Sequence, residues 1–69
     1  MKNNLFGKRL KELRLESGLS QRTLGEILNV CNQTVSFWEI GSREPDLDML
    51  VRIAEYFNVS IDSLLLEKY

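Results

Sequence analysis

Apolar side chains along this chain recur at three- and four-residue intervals in short runs, and glycine or asparagine interrupts the pattern after almost every run. Phe6, Leu10 and Leu13 stand at i, i+4 and i+7 with Lys8, Arg9, Lys11, Glu12 and Glu16 on the other faces, so about Leu5 to Ser17 is predicted to be an amphipathic helix ending at Gly18. Glycine, and after it asparagine, most readily takes the left-handed backbone just past a helix, which turns this punctuation into a map of helix ends. Ser20 is the N-cap of a second helix with Leu24, Ile27 and Leu28 inward, and Asn29 opens a tight turn running to Cys31. A third helix covers about Asn32 to Ile40, anchored by Val35 and Trp38 with Ile40 as a candidate third anchor. Gly41 and Pro45 bracket a loop, and Asp46 caps a fourth helix whose inward stripe is Leu47, Leu50, Val51, Ala54 and Phe57. Asn58 stops it, and Ser60 caps a fifth helix, about Ile61 to Leu66, with Ile61, Leu64 and Leu65 inward. No strand alternation, internal repeat or low-complexity stretch occurs. The expected fold class is therefore all-α, five short helices in one compact domain over residues 1–69.

Several chemistries are excluded by what the chain lacks. Histidine is absent and Cys31 is the single cysteine. The commonest general base and the commonest metal ligand are thus missing, and no intramolecular disulfide can form, so neither cofactor nor metal is expected. The remaining catalytic material is scattered carboxylates, with no nucleophile and base at a spacing that would join them, and no enzymatic activity is expected. Leu64 to Leu66, an apolar run that no other exceeds, is far below the roughly 20 residues that span a bilayer, and the N-terminal residues lack an apolar signal core. A cytoplasmic protein without membrane contact is the expectation. A core this small leaves stability marginal, a reason to expect a homodimer.

A net charge of −1 is unpromising for a nucleic-acid partner until its distribution is considered. Residues 1–43 carry seven cations against four carboxylates, or +3, and residues 44–69 carry two against six, or −4. A chain polarised in this way can turn its basic half toward a polyanion. The third helix adds a more specific hint. Its first turn holds Asn32, Gln33 and Thr34, with Ser36 following, and has no charge to solvate it. Such a surface is better suited to reading hydrogen-bonding groups than to facing water.

The segment from Leu19-Ser20-Gln21 through Gln33-Thr34-Val35-Ser36 to Trp38-Glu39, followed by Gly41, Arg43-Glu44-Pro45 and the closing Asn58-Val59-Ser60, resembles the lambda-repressor-like (Xre/Cro-type) helix-turn-helix family over nearly the whole chain. The resemblance implies that the helix-turn-helix spans about residues 20–40, with its second helix lying across the DNA backbone and its third entering the major groove. It implies base-reading roles for Asn32, Gln33, Ser36 and Phe37, with Gln33 suited to adenine because an amide donates and accepts together. It implies phosphate contacts from Gln21, Arg22, Ser42 and Arg43, and a structural ion pair between Arg14 and Glu39. Trp38, on the same stripe as Val35, is expected in the core and not as a stacking platform for bases.

The chain departs from the family pattern at four positions. Gly25 replaces the usual alanine, at roughly 1 kcal/mol of helix propensity. Asn29 replaces the turn glycine, Cys31 replaces the serine or threonine cap of the third helix, and Phe37 stands where a polar or basic residue is common. Phe37 is left as either a reader of a thymine methyl or a hydrophobe facing a protein partner. The function implied is specific binding of double-stranded DNA by a small transcriptional regulator, a repressor acting as a dimer on a pseudo-palindromic operator. The alternative is a protein-interaction module or antitoxin that keeps the fold with weak DNA binding or none.

Overall fold

Every helix stop marked in the sequence is used, and all four are built alike. Gly18, Asn29, Gly41 and Asn58 have φ of 72°, 63°, 84° and 57°. Just beyond each, an N–H reaches back to a carbonyl five residues earlier: Leu19 to Arg14 (3.0 Å), Val30 to Gly25 (2.8 Å), Ser42 to Phe37 (3.0 Å) and Val59 to Ala54 (2.9 Å). This closure satisfies carbonyls that a helix end leaves without an intrahelical partner. In this computed structural model, which describes residues 5–65, the resulting helices are α1 (Leu5–Glu16), α2 (Gln21–Leu28), α3 (Asn32–Ile40), α4 (Leu47–Phe57) and α5 (Ile61–Leu65). The all-helical architecture is the one expected, with α2 and α3 forming the helix-turn-helix.

The helix starts are equally local. Ser20 Oγ accepts the Thr23 N–H at 3.0 Å, Asp46 Oδ1 that of Met49 at 2.9 Å, and Ser60 Oγ that of Ser63 at 3.1 Å. At the start of α3 Cys31 supplies no such bond to the backbone, and its Sγ lies 3.5 Å from Thr34 Oγ1 instead.

The core joins Phe6 and Leu10 of α1, Leu24 and Leu28 of α2, Val35 and Trp38 of α3, Leu50, Ile53 and Ala54 of α4, and Leu64 of α5. Helix α1 packs on α3 and α5, α2 on α3 and α4, and α4 on α5. Each large side chain buried there contributes roughly 1.5–3 kcal/mol, so a domain of this size depends on nearly all of them.

The structure corrects the expected inward faces. In α4 the buried residues are Leu50, Ile53 and Ala54, while Leu47 is 78% exposed and Val51 also faces outward. Two stripes overlap on this helix, one through Leu47 and Val51 and one through Ile53 and Phe57, both sharing Leu50 and Ala54. The packing of α2 and α5 selects the second. Ile27, Ile40 and Ile61 are likewise exposed. Helix α1 ends at Glu16, one residue before the expected Ser17, and Leu66, expected at the end of α5, lies outside the described residues.

Gly25 has a structural reason. A Cβ built on it would lie 2.7 Å from the Val30 carbonyl oxygen and 3.3 Å from the Asn32 nitrogen. Glycine here lets the backbone of the turn between α2 and α3 settle directly on α2, a closer approach than alanine allows.

Candidate nucleic-acid interface

Helix α3 has two sharply different faces. Val35, Trp38 and Glu39 are buried; Gln33 and Phe37 are exposed on the opposite side, and exposed Asn32 and half-buried Ser36 flank them. Gln33 and Phe37 are one turn apart and share a face. Ile40, 66% exposed, continues this face by a further turn from Ser36. It had been a candidate core anchor, and helical angle alone would have placed it with the outward residues.

The inward face is fixed by a buried ion pair. Arg14 Nε donates to Glu39 Oε2 at 2.6 Å and Nη2 donates to Oε1 at 3.1 Å, with both residues only 7% exposed. A third nitrogen, Nη1, donates to the Leu19 carbonyl at 2.9 Å. Two parallel N–H···O bonds hold a carboxylate in orientation as well as in place. Removing two charges from water largely cancels their attraction, so what the pair contributes is mostly geometry: α1 sets the angle of α3.

Gln21 joins this network, which the sequence did not indicate. Its Nε2 donates to Glu39 Oε1 at 3.0 Å. The side chain is thus half-buried at the start of α2, with one amide N–H used internally. A second amide N–H and the backbone N–H of this first helical turn are the donors left for an anion. Arg22 lies apart from this network, well exposed on α2 with its Nε 3.7 Å from Glu26.

Ser42 and Arg43 are brought back against α3 by the turn at Gly41. The Phe37 carbonyl accepts from the Ser42 N–H at 3.0 Å, the Arg43 N–H at 3.4 Å and the Ser42 hydroxyl at 3.4 Å. The Arg43 guanidinium carbon lies 5.3 Å from the centroid of the Phe37 ring. Nothing in the helical periodicity announced this contact, because it crosses the end of a helix. Cys31, exposed at the N-terminus of α3, has its thiol held below the usual thiol range by the Thr34 hydroxyl.

Among the described residues no group of acidic or cysteine side chains is arranged to hold a metal ion, and no helix is long and apolar enough to cross a membrane. A family model for helix-turn-helix domains matches residues 10–64. The chain belongs to the helix-turn-helix family. Within it the lambda-repressor-like resemblance holds. The chain is 44% identical over 60 residues to the HTH-type transcriptional regulator ImmR of Bacillus subtilis, covering 87% of this chain and 47% of that protein. It spans about half the length of the first curated relatives it matches. Among solved structures it is similar to the P22 c2 repressor in complex with a synthetic operator, at a TM-score of 0.82 and 31% identity, covering 88% of this chain and 92% of that one. It is also similar to the restriction-modification controller protein C.AhdI from Aeromonas hydrophila, at a TM-score of 0.78 and 31% identity over 91% of this chain and 93% of that one. Helix-turn-helix relatives of both kinds thus share the backbone on which α3 is presented.

Proposed function

We propose that this helix-turn-helix chain binds double-stranded DNA sequence-specifically and regulates transcription in the cytoplasm, without catalysis or cofactor, as a dimeric repressor on a pseudo-palindromic operator. Its main support is the outward face of α3: polar, uncharged in its first turn, and held at a fixed angle by a buried ion pair. Asn32, Gln33, Ser36 and Phe37 meet base edges in the major groove, while Gln21, Arg22, Ser42 and Arg43 contact phosphates on either side. The similarity to a repressor solved with its operator supports both the docking geometry and the sign of regulation.

A second copy docks near the C-terminal helices. Tyr56, exposed on α4, stands with Ile27 beside a groove of about 320 Å³ that Leu28, Arg52 and Glu55 complete. A cation and a carboxylate one turn apart on the same helix are self-complementary under a two-fold axis. From the sequence, Leu66 and Tyr69 are further candidates for this two-fold contact; both lie outside the described residues. The dimer holds two α3 helices about one DNA turn, roughly 34 Å, apart.

Selection of bound sites from random duplex DNA, followed by salt titration on the selected site, tests this function. The expected result is a palindromic consensus and a log–log salt slope of several units. No enriched sequence, or binding indifferent to salt, favours the protein-interaction alternative. Sedimentation that finds a monomer on and off DNA overturns the dimer.

A further inference from the structure

We infer that Phe37 is a positioning residue for Arg43: its ring is the platform that aims the guanidinium at the DNA backbone, making the recognition helix and the loop after it one contact unit. This role rests on the DNA-binding function proposed above. The ring adds neither a donor nor an acceptor to this face, so whatever it gives to readout beyond apolar contact must come through a neighbouring side chain.

Three features join the two residues. The guanidinium carbon lies 5.3 Å from the ring centroid, within the range over which a cation is attracted to an aromatic face. The Phe37 carbonyl accepts hydrogen bonds from the Ser42 N–H, the Arg43 N–H and the Ser42 hydroxyl, so the backbone that carries Arg43 is tied to the residue that carries the ring. Gly41, at φ 84°, makes the reversal that permits both. Among the described residues no carboxylate pairs with Arg43.

The chemistry of arginine gives this arrangement its use. A guanidinium attracted to a ring engages it through its charge and its π face, while the N–H donors lie in its plane and remain available. Those donors match two phosphate oxygens at once. A long side chain already resting on a platform has fewer rotamers to lose when phosphate arrives. Phe37 is still 38% exposed, so contact with an apolar neighbour such as a thymine methyl remains compatible with the platform.

Salt titrations of the full chain on a selected duplex test the role, using wild type, Phe37→Leu, Phe37→Tyr, Arg43→Ala and the Phe37→Leu/Arg43→Ala double variant. Arg43→Ala is expected to lower the log–log slope by about 0.9 per protomer, the loss of one phosphate contact. Phe37→Leu should lose most of the same slope, Phe37→Tyr should retain it, and the double variant should fall no further than Arg43→Ala. In the free protein the δ protons of Arg43 should be shifted upfield by the ring, and this shift should vanish in Phe37→Leu while the rest of the spectrum stays in place. A wild-type slope in Phe37→Leu, or no ring shift on Arg43 in the wild type, overturns the positioning role while leaving DNA binding intact. Absence of salt-dependent DNA binding by the wild type instead overturns the proposed function, and this role with it.

Discussion

Arg14 and Glu39 stand 25 residues apart in sequence and meet in the core through two hydrogen bonds of 2.6 and 3.1 Å. Truncating Glu39 leaves the Arg14 guanidinium charged and buried without its carboxylate. Glu39→Ala is expected to cost about 3–5 kcal/mol, enough to unfold much of a small domain at room temperature. The double replacement Arg14→Met/Glu39→Leu should recover most of the loss. Urea unfolding of the two variants beside the wild type checks this, and a Glu39→Ala loss below about 1 kcal/mol would mean that water reaches the pair.

Gly25→Ala should destabilise although it improves helix propensity. The added Cβ would lie 2.7 Å from the Val30 carbonyl oxygen, a backbone atom that cannot swing aside. Overpacking of this kind costs about 1–3 kcal/mol, against a propensity gain of about 1 kcal/mol. The same urea unfolding would show a raised midpoint if the turn relaxes instead.

Cys31→Ser should raise the unfolding midpoint, since a serine oxygen can supply the side-chain cap hydrogen bond that Cys31 does not make. The thiol itself gives a pH test. The Thr34 hydroxyl holds its pKa below the ordinary value, so the thiolate forms at lower pH in the folded chain than in a free cysteine. The stabilisation that accompanies it is present above the ordinary thiol pKa and is lost as pH falls through the lowered one. Iodoacetamide alkylation near neutral pH should therefore be faster than for a cysteine peptide, and Thr34→Val should slow it. Equal rates in the two proteins would remove Thr34 as the cause.

On the selected operator Gln33→Ala should lose about 1–3 kcal/mol, and far less on a site already changed at the base pair it contacts. Replacing a contacted thymine by uracil should weaken the wild type and leave Phe37→Ala almost unaffected, as a double-mutant cycle requires. Equal losses in both proteins would show that the ring does not touch that methyl.

Helix ends were legible because they are local. Gly18, Asn29, Gly41 and Asn58 each declare a left-handed closure through one residue's backbone preference, and the structure uses all four. Inward faces were legible only where a single stripe existed, as with Phe6 and Leu10. On α4, Leu47 and Val51 compete with Ile53 and Phe57 for the same spacing, and the choice between them belongs to α2 and α5. The pairing of Arg14 with Glu39 came from family resemblance, since no local rule joins residues so far apart. The contacts of Gln21 with Glu39 and of Arg43 with Phe37 had no signal at all; both depend on how a turn returns the chain to a helix already placed.

The four identical closures also bear on how quickly the chain finds its fold. With every helix told where to stop by residues within one turn of its end, α2, α3 and α4 can form and collapse with little search, and relaxation in microseconds to milliseconds is the regime of such topologies. What cannot be settled locally is the meeting of α1 with α3 and with α5. Leu10 of α1 and Leu64 of α5, both fully buried, belong to the packed helix pair farthest apart in sequence, so the loop entropy of closing the domain bears on them. A chevron plot should then show Leu10→Ala slowing folding, while trimming Ile53 within the local α4 seam mainly hastens unfolding.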